Sequence, residues 1–152
     1  LERVRYLTNA DCGDSIIISR DYDPSIPDIK IDKERLIQAV LNITCNAVNA
    51  LNQPTQPTHK PLITIASRII RQFTIGGHNH RLVCRVDIRD NGPGIPDNIR
   101  DNVFVPMVSG HASNSGLGLS IAQSIVKQHE GLIAFTSDAG DTCFSIYLPM
   151  ID

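Results

Sequence analysis

Several common signals are missing from this chain. No apolar run approaches the ~18 residues that a membrane-spanning helix requires. No secretory leader precedes the first structured segment, and the chain opens on Leu1 rather than Met, so a piece of a longer protein is expected. Surplus basic charge is absent too, with 14 Lys and Arg against 16 Asp and Glu and a net charge of -2. Phosphate backbones need clustered Lys and Arg, which argues against nucleic acid as the main partner. None of the four cysteines forms a C-x-x-C pair, and the five histidines show no H-x₃-H spacing. A protein-bound zinc site is therefore not expected. Cys45, Cys84 and Cys143 sit in apolar patterns, and the expected reading is reduced core cysteine in a cytoplasmic protein. No internal repeat is visible.

What is present fits one soluble domain. The 152 residues are 41% hydrophobic and 20% charged, enough to bury a sizeable core. Residues 15–21 read as a strand around Ile16-Ile17-Ile18, ended by Pro24 and Pro27. Asp32 reads as a helix N-cap, and the helix should run to about Leu51, before Pro54, Pro57 and Pro61. Residues 63–75 and 81–90 read as a long hairpin around Gly76-Gly77, with His78 and His80 in the turn. A short helix is expected over 97–103, and a polar, Gly-containing loop over 105–115. A second long helix should span 117–130 with Gly131 as its cap, followed by strands over 132–137 and 142–148. This mixture predicts an α/β two-layer sandwich: a mixed, mostly antiparallel sheet with about three helices on one face.

Three constellations stand out. On the helix from Asp32, successive residues are ~100° apart, so Leu36, Val40, Ile43, Ala47 and Leu51 share one face. Arg35, Gln38, Asn42, Asn46 and Asn49 share nearly the opposite one. A solvated face usually carries Lys and Glu, which are better helix formers than Asn. Either this is an ordinary polar face, or its amides hold a hard cation and donate to phosphate. Asp90-Asn91-Gly92-Pro93-Gly94-Ile95 directly follows a strand. It is either a simple Asx turn or a place where an Asp accepts from an exocyclic amine such as adenine N6. Gly116-Leu117-Gly118-Leu119-Ser120 opens a helix, where free backbone N–H groups and the dipole favour phosphate. No Lys follows these glycines, so this is no P-loop; Ile121 stands where a dinucleotide fingerprint needs its third glycine.

In combination the motifs are specific. Asn42-x-x-x-Asn46-Ala47, Asp90-x-Gly92-x-Gly94, Phe104-x-Pro106 and Gly116-Leu117-Gly118-Leu119 resemble, in that order, the N, first glycine, F and second glycine boxes of sensor histidine kinases. The resemblance runs from Asp32 to Pro149 and includes the closing hairpin Gly140-Asp141-Thr142-Cys143-Phe144. Within the family the chain is most similar to the nitrogen-regulation sensor kinases. The carrying residues are Pro106 to Gly110, Gly116 to Ala122, Gln128-His129, Phe135-Thr136-Ser137 and Ser145 to Pro149.

The resemblance implies a Bergerat-type fold, ATP and Mg²⁺ as cofactors, and phosphoryl transfer to a histidine outside this chain. It implies that Asp90 binds adenine N6, that Asn46 ligates Mg²⁺ and that Asn42 contacts the phosphates. Gly92 and Gly94 would shape the adenine pocket, while Gly116, Gly118 and Leu119 would meet the phosphates through backbone N–H groups. Thr142 would support the adenine site. Asn49, Ile95, Phe104, Ser115 and Leu117 complete the nucleotide-binding set. The whole chain, 1–152, would be one catalytic ATP-binding domain, with 1–13 the tail of a connection to a dimerisation domain carrying the acceptor histidine. An NtrC-type response regulator and a PII-type signal protein are the implied partners. Two features depart from the family pattern: many members carry Lys or His at the position of Asn49, and Lys or Arg in the lid, which here offers only His111. The rivals are an ATP-hydrolysing relative of the gyrase or heat-shock chaperone type, which carries Glu at the position of Asn42, and a non-catalytic nucleotide sensor.

Overall fold

The computed structural model describes residues 1–54, 59–108 and 116–150. The chain opens with helix α1, Glu2–Cys12, which the apolar pattern did not suggest. Only Val4 and Thr8 of α1 are buried, so its contact with the rest is one narrow stripe. Arg3 pairs with Glu34, and Arg20 with Glu2, along its exposed edge. Strand β1, Ile17–Tyr22, follows, and then helix α2, Lys33–Leu51. The Asp32 carboxylate accepts the Arg35 N–H at 3.1 Å, as the N-cap reading requires. The apolar stripe of α2 faces inward: Val40, Ile43, Ala47 and Leu51 are buried, and Leu36 packs at the margin.

The hairpin consists of β2, Leu62–Ile75, and β3, His78–Asp90. Its turn is only Gly76-Gly77, both at positive φ (57° and 83°), which a two-residue hairpin with right-handed twist demands. His78 and His80, expected in the turn, instead pair with Ile75 and Phe73 inside the ladder. A single 3₁₀ turn, Arg100–Asn102, replaces the short helix expected over 97–103. Helix α3 spans Gly118–Gln128, and β4, Leu132–Asp138, and β5, Asp141–Pro149, close the fold.

The end of α3 differs from the sequence reading. The residue in the left-handed region is Glu130 (φ 56°), not Gly131. Glu130 N bonds Lys127 O, and Gly131 N bonds Val126 O, the two bonds of a Schellman motif. Gly131 is required one step later, because a Cβ there would stand 2.5 Å from Tyr147 O.

The sheet order is β1-β2-β3-β5-β4, with β1 and β2 parallel and every other pair antiparallel. Ile63, Ile65, Val86, Ile88, Phe144 and Ile146 point to one face and form the core with α2, α3 and Val4. This is the predicted two-layer α/β sandwich, with three α-helices among the described residues. The alternation in β3 continues through Ile88 to Asp90, so a carboxylate ends up on the core face of the sheet. All four cysteines are free. Cys84 and Cys143 are buried as expected, but Cys45 is exposed. It lies three residues after Asn42 and four before Asn49, hence on the polar side of α2.

Candidate functional site

Three elements meet around one cavity. α2 supplies Asn42, Cys45, Asn46, Asn49 and Ala50; the end of β3 and its following loop supply Asp90, Gly94, Ile95, Pro96, Ile99 and Val103. Gly116, Gly118 and Leu119 at the start of α3, with Val108 and Thr142, complete the wall. One end of the cavity therefore holds a buried carboxylate, and the other a helix N-terminus, with a stripe of amides between them.

Asp90 is 5% exposed. Burial pushes its carboxyl up to about 6; the Gly92 N–H bond opposes this, and the negative charge of Asp141 adds to it. Gly92 N donates to Asp90 Oδ1 at 2.9 Å. A Cβ on Gly92 would stand 2.8 Å from that same oxygen, so only glycine leaves the carboxylate in place. Gly94 has φ 89°, and a Cβ there would approach Asp138 O at 3.0 Å. A network supports this loop from behind: Ser137 Oγ accepts the Ile95 N–H at 2.8 Å and lies 2.7 Å from Thr142 Oγ1, and Gly140 N donates to Gly92 O at 2.8 Å.

At the opposite end, α3 has no side-chain cap and no acidic residue in its first turn. Its first N–H groups lack the carboxylate that satisfies α2. Gly116 has φ 70°, and a Cβ there would meet Met107 backbone carbon at 2.7 Å; Met107 N donates to Gly116 O at 3.0 Å. This contact closes the base of the loop between them. Gly118 is different, since a Cβ there would have ordinary contacts only, the nearest being Asn42 Cβ at 3.7 Å. Protein packing does not require glycine at 118.

The sequence matches the family described as "Histidine kinase-, DNA gyrase B-, and HSP90-like ATPase" over residues 31–152. The chain belongs to this ATPase family. It is 46% identical over 151 residues to the sensory histidine kinase/phosphatase NtrB of Vibrio alginolyticus, covering 99% of this chain and 42% of that protein. It is 45% identical over 149 residues to NtrB of Salmonella typhimurium, covering 98% of this chain and 41% of that protein. The chain thus spans about two-fifths of the length of these relatives. Its fold is shared with the catalytic domain of histidine kinase ThkA, at 23% identity and TM-score 0.76, covering 98% of this chain and 89% of that one.

Against this family frame, most of the residues singled out in the sequence converge. Asn42, Asn46, Asn49, Asp90, Gly94, Ile95, Gly116, Gly118, Leu119 and Thr142 all line the cavity. Gly92 stands just behind Asp90. Phe104 does not reach the wall; it packs edge-on against Phe135 and Phe144 and anchors the segment below the loop. Leu117 is the exposed residue preceding α3. Ser115, and most of the expected lid over 105–115, lie outside the described residues.

Sequence reasoning missed Cys45, Ala50, Pro96, Ile99 and Val103 on the wall, while Val108 falls in the stretch expected as the lid. Cys45 was legible from its helical spacing to Asn42 and Asn49. The apolar ones carry no signal, since Ile99 and Val103 look like ordinary core residues. It also gave Ser137 no role of its own. Among the described residues no three His, Cys, Asp or Glu side chains cluster to hold a metal. A hard cation in this cavity would have to combine the amide oxygens of α2 with oxygens of a ligand and water.

Proposed function

We propose that this chain is the ATP-binding catalytic domain of an NtrB-type sensor histidine kinase. The observation that carries the reading is the buried Asp90 carboxylate at one end of a cavity whose other end is the uncapped N-terminus of α3. A buried acceptor suits the exocyclic amine of adenine, and free helical N–H groups suit phosphate. The room left by Gly118 supports close approach of a phosphate to the backbone there.

In this reading Asp90 accepts from adenine N6, Gly94 and Ile95 line the wall beside the base, and Gly92 shapes the pocket by holding the Asp90 carboxylate in place. Asn42 donates to the phosphates, with Asn49 and the N–H groups of Gly116 to Leu119 completing their cradle. Asn46 would hold Mg²⁺, and the ion would supply neutralisation of phosphate charge. An imidazole nitrogen of the acceptor histidine attacks the γ-phosphorus, the bond to the β,γ-bridging oxygen breaks, and ADP leaves. The chain contributes positioning and backbone donors rather than a base. Asp90 is the one carboxylate on the described wall, and Asn42 stands where a hydrolysing relative would need Glu. An amide does not activate water at neutral pH, which disfavours the hydrolase reading.

The acceptor histidine, in this proposal, sits on a dimerisation domain joined through residues 1–13, with residues 1–152 forming a single catalytic domain. An NtrC-type response regulator would take the phosphoryl group, and a PII-type protein would control the kinase. A cytoplasmic location accords with these partners. No described helix is long and apolar enough to cross a membrane. The test is a thermal shift with Mg-ATP against Mg-GTP. Ligand at ~100 times its dissociation constant should stabilise the fold by about 2.7 kcal/mol. Equal shifts for the two nucleotides would overturn the assignment of Asp90 to adenine.

A further inference from the structure

Cys12 and Cys45 are far apart in sequence, yet α1 and α2 bring them to one place. The short turn over 13–16 sends β1 back along α1, and the crossover between the parallel strands β1 and β2 sends α2 back along β1. The two helices therefore run in the same direction. At their starts Arg3 Nη1 donates to Glu34 Oε1 at 3.1 Å. Cys12 follows Arg3 by nine residues and Cys45 follows Glu34 by eleven, so at ~1.5 Å per residue both thiols lie about 15 Å further along, at nearly the same height.

The helix faces agree with the heights. On α1, Val4, Thr8 and Cys12 follow one another at four-residue spacing; Val4 and Thr8 are buried, and Cys12 packs against the core. On α2, residues ~100° apart place Cys45 within ~20° of Glu34, the residue that reaches α1, and ~60° from Asn42. Cys45 is thus the cavity-wall residue of α2 nearest to α1. Asp11 stands beside both thiols. Burial first, and then the Asp11 carboxylate, push each thiol above its ordinary value, and Cys45 adds to the effect on Cys12. Such mutual influence falls off with separation, so the three groups are neighbours. Both cysteines are free; Cys45 is exposed and Cys12 half-buried, so a small oxidant reaches Cys45 first.

We propose that Cys12 and Cys45 form a redox-active dithiol, which a peroxide converts into a disulfide that fastens α1 to the helix carrying the amide stripe. The Cys45 thiolate attacks a peroxide oxygen, the O–O bond breaks, and a sulfenic acid forms at Cys45 with loss of hydroxide. The Cys12 thiolate then attacks the Cys45 sulfur, and hydroxide leaves as the S–S bond forms. The two thiol protons neutralise the two hydroxides, so two thiols and hydrogen peroxide become one disulfide and two waters. The bond needs Cβ atoms about 3.8 Å apart, so the Cys45 sulfur is drawn from the cavity wall towards α1 as it forms. The dithiol stands apart from the reading of the cavity as an ATP site, and only its effect on nucleotide affinity rests on that reading.

The test is treatment of the native chain with hydrogen peroxide, then alkylation and non-reducing peptide mapping. Wild type should give one Cys12–Cys45 disulfide that dithiothreitol reverses, with Cys84 and Cys143 still free. The oxidised chain should melt ~5 °C or more above the reduced one, because the bond closes a long loop and pins a helix otherwise held by one stripe. Cys12→Ser should leave a sulfenic acid at Cys45 that dimedone captures. Asp11→Asn should form the bond at least about twofold faster at pH 7.5, because loss of that negative charge favours both thiolates. Dimedone labelling of Cys45 in wild type with no Cys12–Cys45 peptide overturns the proposal, as does a disulfide that forms only in denaturant. Calorimetric titration with Mg-ATP should show the oxidised chain binding about threefold more weakly than the reduced one, since a wall contact is lost. Equal affinities overturn the link between the bond and the cavity. A reduced chain that binds no Mg-ATP removes the ATP-site reading, while the mapped disulfide still decides the dithiol.

Discussion

At the residue scale, Asp90 sets function against stability. Burial raises its carboxyl to about 6, so the folded state disfavours the charged form that adenine recognition needs. A group whose folded pKa is raised contributes stability below its unfolded pKa and loses that contribution as pH rises through the folded value. For Asp90 that window runs from about 4 to about 6. Above it, the buried carboxylate costs the empty fold on the order of 2 kcal/mol. Asp90→Asn keeps an oxygen for the Gly92 N–H and removes the charge. It should therefore stabilise the empty chain at pH 7.5 while abolishing the ATP-induced shift. The gain should fade in melts at pH 4. A variant less stable than wild type at pH 7.5 would show that the carboxylate is not under strain. Gly92→Ala makes a complementary test. Its Cβ would stand 2.8 Å from Asp90 Oδ1, so titration should show ATP affinity falling at least tenfold in a chain whose circular dichroism is unchanged.

At the element scale, α2 carries the amide stripe of the site and α3 its free helix N-terminus, and their relative placement is pinned at the far end. His129 Nδ1 lies 2.8 Å from Ile125 O, and its Nε2 accepts the Asp32 N–H at 3.2 Å. Arg35 donates to Gln128 Oε1 at 3.0 Å. The ring thus bridges two helices, accepting through a lone pair. His129→Ala should lower unfolding free energy in urea by about 1 kcal/mol. It should also weaken ATP binding, because Asn42 on α2 faces Gly118 on α3. Unchanged affinity in the destabilised variant would show that this pin does not set the site. The loop base gives a second test at this scale. Gly116→Ala forces a side chain into positive φ against the Met107 backbone. Hydrogen exchange at Met107, whose N–H bonds Gly116 O, should speed up, and protection equal to wild type would count against that clamp.

At the scale of the whole molecule, the proposed kinase reading requires an acceptor from elsewhere. None of the five histidines is followed by an acidic residue and then by Asn or Thr with Pro, as self-phosphorylating relatives require. His129 comes nearest, followed by Glu130, but both are committed to the end of α3. Incubated with radiolabelled ATP, the chain alone should take up no label. Adding a separate dimerisation domain with its histidine should place label on that second protein only. Stoichiometric label on this chain would mean that the chemistry has been misplaced; no label on either protein would favour a nucleotide sensor over a kinase.

Much of the molecule is local in origin and was therefore legible. The cap at Asp32, the Gly76-Gly77 turn, the β3 alternation ending in Asp90 and the Asn stripe on α2 each follow from one segment's own periodicity and turn chemistry. Helix α1 was not legible, because only Val4 and Thr8 face the core and so narrow a stripe leaves no apolar period. Nor was the role of Glu130, which takes left-handed backbone because Gly131 is pressed against Tyr147, a contact between residues far apart in sequence. The sequence alone singled out most of the side chains that converge on the cavity. The tertiary structure decided how deeply Asp90 is buried, and that the Ser137 hydroxyl meets both the Ile95 N–H and Thr142. Burial and hydrogen-bond partnership depend on neighbouring strands and loops, and no single segment contains them.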